Sequence, residues 1–499
     1  MELENYFSRF RENIIGIDQE FESPFGKKKI VYADWIASGR LYSPIEEIMM
    51  DKFYPFVGNT HSEASQVGCT MTKAYNEAKN IIKRHVNAGK DDVIMFAGFG
   101  MTSVVNKFQR LLGLHFPEQL KDKVVIPEEE KPVVFITHME HHSNHTSWLE
   151  TICDVVIVGT DDKGLVSLER LEVLLWLYKE RKYKIGAFTA ASNVTGIETP
   201  YYQMAKLIHQ FGGICLIDFA AAAPYVNMNM HPADPEEKLD GIFFSPHKFL
   251  GGPATSGVMI FDKSLYNKKV PDSPGGGTVN WTNPWGQHKY IEDIEAREDG
   301  GTPGFLQAIK TALAIKLKEE MGVDKMMARE KELLSVAFKR LEQIPTLHIL
   351  AQEHKERLGI ISFYVEDIHY NLMVRLLNDH FGIQMRGGCS CAGTYGHYLL
   401  HVDPTRSKRI TDKIDQGDLS EKPGWIRFSL HPTMTNDELD FVLSAIEETI
   451  YNVKIWSKDY FYLNKTNEYY PKESKCDSDS EILNWFNAVK GEKREKISA

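Results

Sequence analysis

Between residues 92 and 245 short apolar runs recur, separated by stretches with helical patterning. DVIMFAG (92–98), PVVFITH (132–138), DVVIVG (154–159), KIGAFTA (184–190), GICLID (213–218) and GIFFS (241–245) are nearly continuous in apolar residues rather than alternating. That is how strands read when both faces are buried. Between them MTSVVNKFQRLLG, SLERLEVLLWLYKER and YYQMAKLIHQFGG carry apolar residues at helical spacing, the last ended by a glycine pair. Strands alternating with helices predict an α/β fold whose mainly parallel sheet is covered on both faces. Ligands of such sheets bind beyond the carboxyl ends of the strands, so the residues just after each run are the ones to inspect.

The pattern changes near residue 320. Long helical stretches (305–345 and 435–456) flank shorter apolar runs, LGIISFYV (358–365) and GWIRFSL (424–430), which predicts a smaller α/β C-terminal domain. The expected division is an N-terminal segment, 1–35, joining the small domain; a large domain, 36–315; the small domain, 316–456; and a C-terminal extension, 457–499. PEEEKP (127–132) reads as a surface insertion, and the polar stretch 403–423 as a loop or short helices. Aromatic residues in the extension predict that it docks on the body before fraying at KGEKREKISA.

Length, 499 residues, agrees with more than one core. The net charge, 58 − 69 = −11, argues against nucleic-acid or anionic-membrane binding, which need a basic footprint. The acidic, polar N-terminus does not read as a secretory signal, and no apolar run approaches a membrane span of about 18 residues. Six scattered cysteines (69, 153, 215, 389, 391 and 476) predict free thiols in a reducing cytoplasm.

The strand ends carry a coherent set. GFGMTS (98–103) opens a helix with a Gly-x-Gly turn; His141 and His142 follow 132–138; Asn193 follows 184–190; Asp218 ends 213–218; Lys248, thirty residues beyond Asp218, follows 241–245. Singly each has an ordinary explanation: a helix cap, a surface lysine, loop histidines, a common glycine turn. Together they match what pyridoxal 5'-phosphate requires, namely a lysine for the Schiff base, an acid for the ring nitrogen, a ring to stack, a donor for the phenolic oxygen, and helix N-terminal amides and hydroxyls for phosphate.

With these residues in view the chain resembles the class V, fold-type I pyridoxal-phosphate enzymes, particularly the cysteine desulfurases and selenocysteine lyases. YADWIAS (32–38) is similar to the family's opening strand and Ala-Ser turn, and the likeness runs over about residues 30–450. The resemblance implies a large domain with a mainly parallel seven-stranded sheet and a smaller α/β domain. It implies that His141, in MEHHSN, stacks on the cofactor and shuttles a proton, and that Asn193, in SNVTG, reaches the phenolic oxygen and the substrate. Asp218, in LIDFAAA, would pair with the ring nitrogen. Ser245 and His247, in FSPHK, would join Gly98, Gly100, Met101 and Thr102 at the phosphate, and Lys248 would form the Schiff base. Thr302, in GGTPG, would reach the phosphate of a partner subunit, which implies a homodimer. Arg427, in IRFSL, would clamp a substrate carboxylate.

QMRGGCSCAGTYGH (384–397) is similar to the family's Arg-x-Gly stretch leading into a catalytic cysteine loop. Aligned on the arginine, Cys391 matches the nucleophile and Cys389 is extra. Three other readings of these residues stand beside it: a zinc site with His397 and His401, a Cys389–Cys391 disulfide, and two buried thiols without chemistry. No metal is expected. The chain departs from the family pattern at Ala221, where a Gln is usual, at a phosphate turn without paired hydroxyls, in a longer stretch 394–423, and in the tail. The expected activity is removal of sulfur or selenium from cysteine or selenocysteine through a persulfide on Cys391, with release of alanine and transfer to a sulfur-acceptor protein. Alternatives are another class V reaction (aminotransferase, β-lyase or epimerase) with Cys391 incidental, or a non-catalytic sulfur-transfer partner or scaffold.

Overall fold

The computed structural model describes residues 2–60, 63–121, 123–473 and 478–487. Cys476 and the closing stretch 488–499, expected to be a free thiol and a frayed end, lie outside the described residues. Seven strands build the main sheet: β1 (Asp92–Ala97), β2 (Val133–Thr137), β3 (Asp154–Val158), β4 (Lys184–Thr189), β5 (Ile214–Asp218), β6 (Gly241–Phe244) and β7 (Gly257–Asp262). Their order is β1-β7-β6-β5-β4-β2-β3. Strands β3, β2, β4, β5 and β6 pair in parallel, whereas β7 is antiparallel to both β6 and β1. The first six fall within a residue or two of the predicted runs.

Why these runs are continuous is visible in the core. Val133 and Phe135 of β2 enter one apolar layer, while Val134 and Ile136 enter the other. Successive side chains of a strand point to opposite faces, and here both faces are covered by helices such as Gln66–His85, Met101–Leu111, Leu168–Leu177 and Tyr201–Gln210. Helix Phe305–Met321 packs on Gln66–His85, and Gly322 (φ 77°) turns the chain into Val323–Leu341.

A four-stranded antiparallel sheet follows, ordered Leu347–Ile349, Ile360–Val365, Trp425–Ser429, Arg386–Gly388. It packs with helices Tyr370–Phe381 and Asn436–Trp456 around a separate core containing Phe363, Met373, Ile426, Phe428 and Val442. The N-terminal segment lies on this unit: Val31–Tyr32 pairs in parallel with Ile383–Gln384, and Arg11 forms an ion pair with Glu438 at 2.7 Å. The stretch 403–423 contains the helix Pro404–Asp415, capped by Asp403. A tail hairpin, Tyr460–Leu463 with Glu468–Pro471, rests on Tyr370–Phe381. The Tyr460 hydroxyl donates to Asp379 Oδ2 at 2.8 Å. No helix among the described residues is long and apolar enough to cross a membrane.

Candidate active site

A cavity of about 220 Å³ opens at the carboxyl ends of the parallel strands. Gly100, Met101, Thr102, His141, Asn193, Asp218, Ser245, His247, Lys248, Cys391 and Arg427 all line it. Eleven of the thirteen residues singled out from the sequence therefore meet in one space. Gly98 and Thr302 do not line it, and both are exposed.

The anion-binding end follows from local chain geometry. Helix Met101–Leu111 starts after Gly100 without a side-chain cap, so its first N–H groups and dipole face the cavity. Met101 N–H donates to Ser245 Oγ at 2.8 Å. A Cβ built on Gly100 would sit 3.1 Å from Ser245 Oγ and 3.6 Å from His247 Nε2, so backbone, hydroxyl and imidazole crowd together there. Gly98 makes the turn possible: its φ is +50°, and a Cβ would lie 2.1 Å from Ser103 Oγ. Ser103 is thus spent on the turn. Thr102 faces the cavity, and its hydroxyl lies 2.6 Å from that of Ser143.

Lys248 closes the short helix Pro246–Lys248 that follows β6. Burial outweighs the pull of Asp218 and lowers its pKa to about 8. Asp218, held by the Ala220 N–H at 2.8 Å, is pushed up to about 6 by burial. Burial and the nearby Lys248 charge lower His141 to about 3, so its ring is neutral at pH 7. Its Nδ1 accepts the Ser143 N–H at 3.1 Å, which leaves Nε2 to carry the proton. Beneath the cavity Glu140 is buried and raised to about 7 by desolvation. It accepts from Thr137 N, Thr189 N and Asn144 Nδ2 at 3.1, 3.0 and 2.8 Å, tying the ends of β2 and β4 to the helix His142–Leu149.

Arg427 enters from the smaller sheet. Its guanidinium is buried, donates to Asp34 Oδ1 at 2.7 Å and to the Asn193 carbonyl at 3.3 Å, and keeps Nε without a protein partner. Asn193 donates Nδ2 to the Ser390 carbonyl at 2.8 Å, while its buried Oδ1 has no partner. Both are buried polar atoms without a protein partner, on residues that line the cavity.

Cys389 through Ala392 form a tight turn closed by Ala392 N–H to the Cys389 carbonyl at 3.0 Å. Its central residues, Ser390 and Cys391, have φ of 52° and 56°, a left-handed conformation that costs about 1–3 kcal/mol per non-glycine residue. Three contacts hold it: Asn193 to Ser390 O, Trp425 Nε1 to Ser390 Oγ at 3.2 Å, and His142 N–H to Cys391 O at 2.7 Å. Both cysteines are free, so they form no disulfide. Among the described residues no three His, Cys, Asp or Glu side chains gather as metal ligands. His397 instead bonds the Gly393 carbonyl and Ser407 Oγ, both at 2.8 Å.

Four residues of the site had no role in the sequence reading. Arg386 lines the cavity beside Arg427, Ser143 extends the Thr102 hydroxyl, Asp34 balances Arg427, and Glu140 braces the floor. All four stood inside recognised stretches, Asp34 in YADWIAS, Glu140 and Ser143 in MEHHSN and Arg386 in RGG, but their roles show only through the partners the fold brings to them.

Residues 31–442 match the family described as Aminotransferase class-V. The chain belongs to the class-V aminotransferases. Among curated relatives of this class-V chain, a probable cysteine desulfurase of Halalkalibacterium halodurans is 27% identical over 380 residues, covering 75% of this chain and 86% of the relative. A probable cysteine desulfurase of Staphylococcus aureus is 27% identical over 369 residues, covering 73% and 84%. Among solved structures, the cysteine desulfurase of Thermococcus onnurineus aligns with TM-score 0.71 at 21% identity, over 89% of this chain and 98% of that one. The Escherichia coli cysteine desulfurase CsdA aligns with TM-score 0.68 at 20% identity over the same shares. This class-V chain therefore has the fold-type I architecture, the seven-stranded sheet with a smaller α/β unit.

Proposed function

We propose that this class-V aminotransferase is a pyridoxal-phosphate-dependent cysteine desulfurase that moves the sulfur of L-cysteine to Cys391 and releases alanine. One observation carries the reading: Lys248, Asp218, Arg427 and the thiol Cys391 line the same cavity. A thiol placed there favours desulfuration over a class-V reaction that makes no use of sulfur.

The residues present fit the cofactor. The uncapped start of Met101–Leu111, with Thr102, Ser245 and His247, suits a phosphate. Lys248 suits covalent attachment, because a pKa of about 8 leaves part of the amine unprotonated near neutrality. Asp218 is the acid for the ring nitrogen, Asn193 supplies an amide, and the neutral His141 supplies a flat face. When bound, the cofactor supplies an electron sink for the bonds around the substrate α-carbon.

The chain's own groups do the rest. Arg427 holds the substrate carboxylate by a two-pronged fork. Lys248, in its neutral form, takes the α-proton. Cys391, as thiolate, attacks the substrate sulfur and keeps it as a persulfide, while the substrate's carbon–sulfur bond breaks and its electron pair stays with the carbon that becomes the methyl of alanine. The acceptor of that sulfur is a second thiol protein or a small reductant. The functional unit is a homodimer: Phe99, 77% exposed beside the phosphate turn, and the exposed Thr302 are the surfaces a second copy covers.

The deciding experiment is alanine release from L-cysteine by the cofactor-loaded protein under reductant, run beside Cys391→Ser and Lys248→Ala. Wild type makes alanine and sulfide. Cys391→Ser keeps the cofactor's visible absorption band and makes no persulfide. Lys248→Ala loses the band of the bound cofactor. A wild type that holds the cofactor yet makes no alanine refutes the proposal in favour of another class-V reaction.

A further inference from the structure

The turn 389–392 carries two thiols, and desulfuration uses one. We propose that Cys389 is a relay thiol that takes the sulfur from Cys391 and carries it out of the cavity to the acceptor. This rests on the reading of Cys391 as the sulfur-accepting group.

The two thiols stand in different surroundings. Cys391 lines the cavity and lies close enough to Arg427 for its charge to act on the guanidinium. Cys389 does not line the cavity; it is half-buried and acts on Tyr370 instead. Next to it the Cβ direction of Gly388 meets no atom within 4 Å, and Arg386 is exposed. Tyr370 is itself fixed from behind, by Asn467 Nδ2 donating to its hydroxyl at 2.5 Å and by its own bond to Lys422 O at 3.1 Å. The residue beside Cys389 thus belongs to helix Tyr370–Phe381 and is braced by two segments that distinguish this chain, the tail hairpin and the stretch before Trp425.

Distance permits the exchange. Two residues apart, the Cα atoms are separated by about 7 Å at most, and the turn brings the chain back on itself. Bonds from Asn193 Nδ2 and the His142 N–H to the turn's carbonyls fix it without using either sulfur. Neither thiol is in a disulfide, and no metal-ligand group exists among the described residues.

The chemistry balances without an added oxidant. The Cys389 thiolate attacks the outer sulfur of the Cys391 persulfide. A bond forms between Cys389 Sγ and that sulfur, and the bond from Cys391 Sγ to it breaks. The electron pair returns to Cys391 Sγ, which takes up the proton that Cys389 lost. The oxidation level of the persulfide is unchanged; it has only moved. Attack on the inner sulfur would instead give sulfide and a disulfide bridging one residue, a spacing that disulfide geometry disfavours.

The test maps sulfur by peptide mass spectrometry. Cofactor-loaded full-length protein receives one equivalent of L-cysteine without reductant and is quenched with an alkylating agent. Fragment ions cut between residues 389 and 391 then assign the added sulfur. Most of it is expected on Cys389 in wild type, all of it on Cys391 in Cys389→Ser, and none on Cys389 in Cys391→Ser. Sulfur confined to Cys391 in wild type, as in Cys389→Ser, overturns the relay and leaves the desulfurase reading standing. Sulfur on Cys389 in Cys391→Ser overturns the order of transfer. A Cys389–Cys391 disulfide with free sulfide also overturns the relay. Absence of alanine and of sulfur on both thiols brings down the desulfurase reading, and the relay with it.

Discussion

Asp218→Asn separates what the carboxylate does to the fold from what it does in the site. The group is buried, and desolvation raises its pKa from 3.8 to about 6. A carboxyl whose folded pKa is raised contributes stability below its unfolded pKa and loses it as pH rises through the folded value. In the cofactor-free protein the loss therefore runs from about pH 4 to about pH 6. Two pKa units at about 1.36 kcal/mol each amount to about 3 kcal/mol at pH 7.5, but only about 1 kcal/mol at pH 4.5. Asparagine keeps the oxygen that accepts the Ala220 N–H and removes the charge. Part of the gain is returned, because Asp218 also helps Lys248 hold its proton. A net gain of about 2 kcal/mol at pH 7.5 raises the melting temperature of a chain this long by about 2 °C, and the gain falls near zero at pH 4.5.

The assay is thermal unfolding of cofactor-free wild type and variant at both pH values, followed by the same melts with saturating pyridoxal phosphate. With cofactor the order reverses, because ligand binding stabilises the wild type by mass action and the variant lacks the acid for the ring nitrogen. If Asp218→Asn lowers the cofactor-free melting temperature equally at pH 4.5 and 7.5, the carboxylate is not strained by burial and the reasoning fails.

Three further outcomes are expected. Arg427→Ala removes a charge-assisted fork worth about 1.5–3 kcal/mol, so KM for the amino acid rises about 10–150-fold, with Arg427→Lys between the two; an unchanged KM would place the carboxylate elsewhere. Gly98→Ala combines the left-handed φ with a 2.1 Å clash against Ser103, and is expected to destabilise by about 2–5 kcal/mol and weaken phosphate binding; denaturant titration and inorganic phosphate protection check both. Trp425→Phe removes the indole N–H bond to Ser390 at 3.2 Å, which loosens the strained turn by about 0.5–1.5 kcal/mol and speeds alkylation of Cys391 by iodoacetamide, leaving far-UV circular dichroism unchanged.

The strand ends were legible because each parallel strand is one continuous apolar run, and the chemistry sits a residue or two beyond it. Asp218, Lys248 and Asn193 could be placed in one space on that ground alone. The seventh strand, Gly257–Asp262, was not named from the sequence. It enters antiparallel with only the short helix Pro246–Lys248 before it, so an alternation of strands and full helices offers no slot for it. The stretch 403–423, read as a loop or short helices, holds helix Pro404–Asp415; only Ile410 is buried, so no apolar stripe decides between the two, though Asp403 and Pro404 form a readable N-cap and first turn. Asp34 pairs with Arg427 across 393 residues, and no local pattern encodes such a partnership. Thr302 is exposed in the single chain, and the role the resemblance gives it needs a second copy.

The departures from the family pattern concentrate load on one residue. Where the resembling enzymes place a glutamine, Ala221 lines the cavity and offers no donor. Among the described lining residues Asn193 is the one amide side chain. Its Nδ2 spends one of two hydrogens on the Ser390 carbonyl of the thiol turn, and its backbone carbonyl accepts from Arg427. Thiol turn, carboxylate clamp and amide donor thus converge on Asn193, and its buried Oδ1 is still without a partner. A side-chain substitution there would release the Ser390 carbonyl and remove the amide donor together, while the backbone carbonyl that receives Arg427 stays in place. Ala221 touches the cavity without bonding the turn or the clamp, so a side chain grown from that position changes the donor set alone. The missing glutamine is therefore not a degenerate position. Its absence leaves Asn193 to serve both halves of the site, the side-chain Nδ2 holding the Ser390 carbonyl of the thiol turn and the backbone carbonyl accepting from Arg427.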